Sequence, residues 1–268
     1  MRTKSDFLKR VRTEKLEEIE ALKEKYPPSY VRHLLAQRGK FYSFRHALCH
    51  GARISVIAEV KYHSPSKGKI ADPKKKKPVD VALEYQGAGA DAISVLTDRR
   101  YFHGGFDYLS QIRDFVELPL LCKDFILDPY QIKLARAMGA DAILLIAEML
   151  DDKELKELYS VAEDLHCDVL VEVHSQMELE RVMSLIDPVI IGINSRDLRS
   201  LKVDISAFSR LIPQIPEEKI KVAESGISEE VIPMLSQLRV DAMLVGEYFM
   251  RQENIYYSLR RFVERLGY

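Results

Sequence analysis

The chain has 268 residues, is 47% hydrophobic and 30% charged, and carries a formal net charge of −1. That length can bury a large core as one domain, and α/β barrels often reach it as a single unit. The near-neutral balance excludes the basic footprint of general nucleic-acid binding, and no apolar stretch approaches the ~20 residues that a membrane span needs.

Residues 1–50 read as a helical extension, and 51–268 as the barrel proper of the same domain. Phe7, Leu8, Val11, Leu16, Ile19 and Leu22 recur at helical spacing among Lys, Arg and Glu, which predicts an amphipathic helix. Pro27-Pro28 stops it, and Ser29 is the expected cap of a second helix reaching about Gln37. The charge-dense start has no signal-peptide block. Cys49, Cys122 and Cys167 are an odd, scattered set, expected to be buried, reduced thiols of a cytoplasmic protein. His46-x-x-Cys49-His50 has no convincing fourth partner, so no metal is expected there.

From residue 54 strand and helix alternate. Strands are predicted near 54–61, 92–97, 119–123, 142–147, 168–174, 189–194, 220–225 and 242–246. Helices are predicted near 79–88, 106–116, 129–138, 151–166, 175–185, 204–213, 228–238 and 252–266. The strands are apolar throughout rather than alternating, as in a parallel sheet buried on both faces. Eight such units predict an α/β fold, a (β/α)8 TIM barrel with an N-terminal helical extension. No Gly-x-Gly-x-x-Gly follows the first strand, which argues against a dinucleotide fold.

Five of these strands end on a charged or amide side chain. An ionisable group at such a tip is costly to bury without a partner. Glu59, Lys61, Lys123, Glu172, Asn194 and Glu224 therefore form a ring at the C-terminal mouth, where barrels carry their active sites, with Arg196 just above. Ser225-Gly226-Ile227-Ser228 and Gly246-Glu247 follow the last two strands, the usual phosphate end of this fold. Ser64 opens the first long loop, and Phe102 and Phe125 follow the next two strands as core packing or a substrate wall. His174 fits a polar site residue or a hydrogen-bonded structural histidine. Lys74 to Lys77 reads as a solvated loop.

Ile57-Ala58-Glu59-Val60-Lys61 with Ser64-Pro65-Ser66 resembles the first-strand signature of the indole-3-glycerol-phosphate synthases. Lys123-Asp124-Phe125, Val171-Glu172-Val173-His174, Ile193-Asn194-Ser195-Arg196-Asp197-Leu198 and Ala223-Glu224-Ser225-Gly226-Ile227 resemble that family's later motifs, in order. The resemblance implies a carboxy-lyase of tryptophan biosynthesis that uses no metal or organic cofactor. It would turn 1-(2-carboxyphenylamino)-1-deoxyribulose 5-phosphate into indole-3-glycerol phosphate. It implies Lys123 as general acid, Glu172 as main base or charge stabiliser, and Lys61 on the aromatic carboxylate. Glu59 would aid dehydration, Asn194 and Arg196 would orient substrate, and Glu224 and Ser225 would complete the site. Ser64, Gly226, Gly246 and Glu247 would hold the phosphate, and Phe102, Phe125, Leu144 and Leu198 the aromatic ring.

The chemistry asks for such groups: cations for an anionic substrate, and a lysine lowered toward neutral pKa to protonate a carbonyl oxygen. Tyr62-His63 and Lys74 to Lys77 depart from the family's usual loop. A phosphorylated small molecule is the expected partner, and a monomer or weak homo-oligomer the expected state. The rival readings are a phosphosugar isomerase or aldolase with Lys61 or Lys123 as Schiff base, and a catalytically silent phosphate-binding barrel.

Overall fold

The computed structural model describes residues 5–267 apart from 50 and 52. The extension consists of α1 (Ser5–Lys25), α2 (Pro28–Gln37) and the short α3 (Phe44–Ala47). Val11, Ile19 and Leu22 of α1 are buried, as their spacing predicts. Ser29 is not the cap of α2. Pro27 takes that position without a side-chain hydrogen bond, and Pro28 starts the helix, where a missing N–H costs nothing.

Ten strands follow: β1 (Ser55–Val60), β2 (His63–Ser64), β3 (Gly68–Lys69), β4 (Ala92–Leu96), β5 (Leu120–Lys123), β6 (Ala142–Ile146), β7 (Asp168–Val173), β8 (Ile190–Asn194), β9 (Ile220–Glu224) and β10 (Ala242–Val245). Eight of them, β1 and β4 to β10, pair in sequence order as parallel neighbours, and β10 closes onto β1. This is a (β/α)8 barrel, and its strands correspond to the eight predicted from apolar runs. β2 and β3 form a small antiparallel pair inside the first loop, which sequence pattern did not reveal.

The outer helices are α4 (Pro78–Ala88), α6 (Phe106–Arg113), α7 (Pro129–Ala137), α8 (Asp152–Asp164), α9 (Gln176–Leu185), α10 (Ser206–Leu211), α11 (Ile232–Gln237) and α13 (Ile255–Glu264). Two short additions, α5 (Arg99–Phe102) and α12 (Glu247–Met250), cover the mouth. Where one helix is expected over 228–238, a 3-10 turn at Glu229–Val231 precedes α11, with Pro233 in the first turn of α11. Cys122 and Cys167 are buried free thiols, whereas Cys49 is exposed. His50 lies outside the described residues.

Lys15 joins extension to barrel. Its side chain is 1% exposed, with Nζ 2.5 Å from Asp98 and 2.7 Å from both Asp124 and Glu18. Asp98 also caps α5 by accepting from the N–H groups of Tyr101 and Phe102. Asp124, after β5, accepts from Thr97 Oγ1 at 2.6 Å. Burial alone would discharge the ammonium, but Asp124 and Asp98 outweigh it and raise its pKa.

Candidate active site

A cavity of about 520 Å³ opens at the C-terminal ends of the barrel strands. All sixteen residues assigned to the site from sequence line it: Glu59, Lys61, Ser64, Phe102, Lys123, Phe125, Leu144, Glu172, Asn194, Arg196, Leu198, Glu224, Ser225, Gly226, Gly246 and Glu247. Phe7 of α1 and Arg251 and Gln252 beyond α12 also line it. Sequence reasoning missed these three because helix and loop residues bear no strand-end pattern.

Lys123 is the centre. Its Nζ lies 2.7 Å from Glu224 Oε2 and 3.2 Å from Glu172 Oε2. The expectation that other cations lower its pKa is corrected. Burial lowers it, but Glu224, Glu172 and Glu59 dominate and the pKa is raised. The two carboxylates separate in the opposite sense. Burial and the nearby Glu172 push Glu224 up to about 7 despite Lys123. Burial also opposes ionisation of Glu172, but Lys123 and His174 hold its pKa well below the carboxylate range.

The close packing of these carboxylates requires two glycines. A Cβ on Gly192 of β8 would stand 2.2 Å from Glu224 Oε1, so glycine leaves the space that the carboxylate fills. A Cβ on Gly246 would stand 2.4 Å from Glu59 Oε2. Gly246 has φ −122°, so its lack of a side chain serves Glu59 rather than a left-handed turn. Glu59 in turn pairs with Lys61 at 3.1 Å, and Lys61 Nζ stands 5.6 Å over the Phe102 ring.

Part of the lining is apolar. Phe102 and Phe125 tilt together at 6.0 Å, with Leu144 and Leu198 also facing the cavity. After β9, Ser225 (φ 66°) and Gly226 (φ 68°) are both left-handed, a tight turn whose backbone lines the cavity. Arg196 receives orientation from its loop: its N–H donates to Asn194 Oδ1 at 2.9 Å, and its guanidinium donates to Leu201 O at 3.0 Å. The lysine run is not wholly solvated, because Lys76 Nζ donates to the carbonyls of Met250 and Gln252. That contact ties the first loop to the segment after α12.

Such a cavity takes a molecule with an apolar ring at one end and an anion at the other, and holds acid and base groups between them. A protein-family model described as indole-3-glycerol phosphate synthase matches residues 8–262. The chain belongs to the indole-3-glycerol phosphate synthase family. It is 50% identical over 215 residues to the indole-3-glycerol phosphate synthase of Aliarcobacter butzleri, covering 80% of this chain and 81% of that one. The synthase of Acetivibrio thermocellus is 48% identical over 220 residues, covering 82% and 84%. Among solved structures, thiamine phosphate pyrophosphorylase from Pyrococcus furiosus is similar in fold, with a TM-score of 0.60 at 15% identity, covering 81% of this chain and 98% of that one. At that identity the likeness to the pyrophosphorylase shows the fold alone, whereas the synthase family match starts at residue 8 and so takes in the extension.

Proposed function

We propose that this chain, like its named relatives, is an indole-3-glycerol phosphate synthase: it closes the pyrrole ring of 1-(2-carboxyphenylamino)-1-deoxyribulose 5-phosphate with loss of CO2 and water. The observation that carries the reading is Lys123, an ammonium held charged between two carboxylates of opposed proton affinity.

The substrate ring lies against Phe102, Phe125, Leu144 and Leu198, with its carboxylate on Lys61. The phosphate takes the backbone N–H groups around Gly226, Gly246 and Glu247, with Ser64 nearby. Anchoring both ends bends the molecule so that its ring carbon meets its own carbonyl carbon, which removes much of the entropic cost of closure. Lys123 donates a proton to the carbonyl oxygen as the carbon–carbon bond forms. Departure of CO2 returns the bonding electrons to the ring. Loss of the hydroxyl as water then needs one group that gives a proton and one that takes it. Glu172, held ionised, is the base. Glu224, with a pKa of about 7, returns a proton to Lys123 across 2.7 Å, and Lys123 passes it to the departing hydroxyl. Glu59 assists dehydration, Asn194 and Arg196 orient the chain of the sugar, and Ser225 completes the turn at the phosphate.

A Schiff-base enzyme needs a neutral lysine as nucleophile. Lys123 is held in the opposite state, which favours acid catalysis over imine formation. The formal charge of −1 and the lack, among the described residues, of a helix long and apolar enough to cross a membrane accord with action in the cytoplasm on a small phosphorylated molecule. Because the chain has no Trp, indole emission from the product appears without a protein indole background. Folded protein that yields no such emission from this substrate would overturn the reading.

A further inference from the structure

β7 ends in Glu172-Val173, and His174 follows directly, so a period of two turns both polar side chains to the same side. Glu172 lines the cavity, whereas His174 is not among the lining residues and stands behind it. The imidazole Nε2 is 3.3 Å from Glu172 Oε1, and Nδ1 is 3.5 Å from Glu178 Oε2. The ring is only 10% exposed. Glu172 Oε1 and both ring nitrogens are buried and make no hydrogen bond of good geometry, so charge attraction over these distances is what links the ring to its two carboxylates.

Glu178 is itself fixed. It lies in the first turn of α9, where Oε2 accepts from the His174 N–H at 2.9 Å and Oε1 accepts from Ser175 Oγ at 2.9 Å. Glu148, from the turn after β6, approaches Glu178 and the ring within 4.8 Å, and Asp197, from the loop after β8, adds its negative charge. Arg199 pairs with Glu148, so a cation of the chain already compensates that carboxylate. The ring thus faces carboxylates from β7, α9 and two loops. Burial opposes its charge, but Glu172 and Glu178 outweigh burial and push its pKa up to about 10.

We propose that His174 is a positioning residue for the reaction: wedged between Glu178 and Glu172, it fixes from behind the direction in which the Glu172 carboxylate faces and supplies its second cation. This rests on the reading that Glu172 takes part in the proton transfers. Glu172 offers Oε2 to Lys123 and Oε1 to His174, so its plane is held at both ends. Without the imidazolium, Glu172 loses the cation on its Oε1 side and keeps only Lys123 and the Asn194 side chain, and the carboxylate either turns or takes up a proton. Either change disables the base without touching the substrate.

The test is steady-state kinetics of His174→Asn, His174→Phe, Glu178→Gln and Glu172→Gln from pH 5 to about 10.5, with NMR titration of the labelled His174 imidazole and of the labelled Glu172 carboxyl. Both His174 variants should lose about ten- to a hundred-fold in kcat with KM within about two-fold, since misplacing a catalytic group has costs of that order. The Glu172 carboxyl midpoint should move up by about one pH unit in both, since an opposite charge within reach shifts a carboxylate by that order. Asn should recover part of kcat through its amide while leaving that midpoint displaced. In Glu178→Gln the imidazole midpoint should fall, and the loss of kcat that accompanies deprotonation of the ring should fall to the same lower pH. Wild-type kcat and Glu172 midpoint in both His174 variants, or a rise in KM alone, would overturn the proposal. If neither variant folds, a Glu178→Gln enzyme whose kcat shows no loss as pH passes the lowered imidazole midpoint would overturn it equally. A fully active Glu172→Gln would instead sink the role of Glu172 itself.

Discussion

Lys123 Nζ lies closer to Glu224 Oε2, at 2.7 Å, than to Glu172 Oε2, at 3.2 Å. Glu224 is nevertheless the carboxylate that readily carries a proton, because burial and the field of Glu172 push its pKa up to about 7. Glu172 has a second cation in His174 and remains ionised. One ammonium therefore serves two carboxylates whose environments drive them apart, a division that marks acid and base roles.

Glu224→Gln should lower kcat by about 10²-fold, the lower end of what one acid–base group contributes. If protonated Glu224 resupplies Lys123, wild-type kcat should fall as pH rises through about 7, and this alkaline limb should vanish in the variant. Wild-type stability should fall over the same range. A carboxyl whose folded-state pKa is raised contributes stability below its ordinary pKa and loses it as pH rises through the raised value. The melting temperature of Glu224→Gln minus that of wild type should therefore increase from pH 5 to pH 8.

Gly192→Ala tests the space that Glu224 occupies. The new methyl would meet Glu224 Oε1 at 2.2 Å and Leu170 Cδ1 at 3.2 Å. The carboxylate is the flexible partner and should swing away. We expect a folded protein, destabilised by about 1–3 kcal/mol as in other overpacked cores. Its kcat should fall about as far as that of Glu224→Gln. Unchanged turnover, measured by product fluorescence, would show that the position of Glu224 is immaterial.

Lys15→Met should cost about 3–5 kcal/mol in denaturant unfolding, because it leaves Asp98 and Asp124 buried without their cation. Burial already raises the Asp98 pKa. The loss should be smaller at pH 5 than at pH 8, since protonation then relieves the stranded charge. Adding Asp124→Asn should recover part of it.

Gly226→Ala addresses the phosphate end. Gly226 has φ 68°, and a Cβ there would meet Val203 Cγ1 at 2.6 Å. Strained backbone costs on the order of 1–3 kcal/mol, and moving this turn disturbs the N–H groups proposed for the phosphate. KM should rise by at least about ten-fold, the factor that 1.4 kcal/mol of lost binding represents, with kcat less affected.

The barrel was legible in the sequence because Val56-Ile57-Ala58 and Ile190-Ile191 read as strands buried on both faces, as they are, and charged tips such as Glu59 and Glu172 mark the mouth. What escaped is what depends on neighbours distant in the chain. Gly192 reads as a weak point in an apolar strand, since Glu224, which needs its space, lies on the next strand. Lys15 reads as one more charge on an amphipathic helix, because its partners Asp98 and Asp124 belong to the barrel. The pKa of Lys123 was anticipated in the wrong direction for the same reason: residue types show which charges exist, and only the fold shows that carboxylates rather than cations surround it.

The most direct measurement follows carboxyl-labelled 1-(2-carboxyphenylamino)-1-deoxyribulose 5-phosphate through turnover, counting CO2 released against indole fluorophore formed. The wild-type chain should give one CO2 per indole, and Lys123→Ala should slow both by about 10³-fold or more, as loss of an essential acid does. Indole formation at the wild-type rate by Lys123→Ala, or folded wild-type protein that releases neither product, would contradict the account.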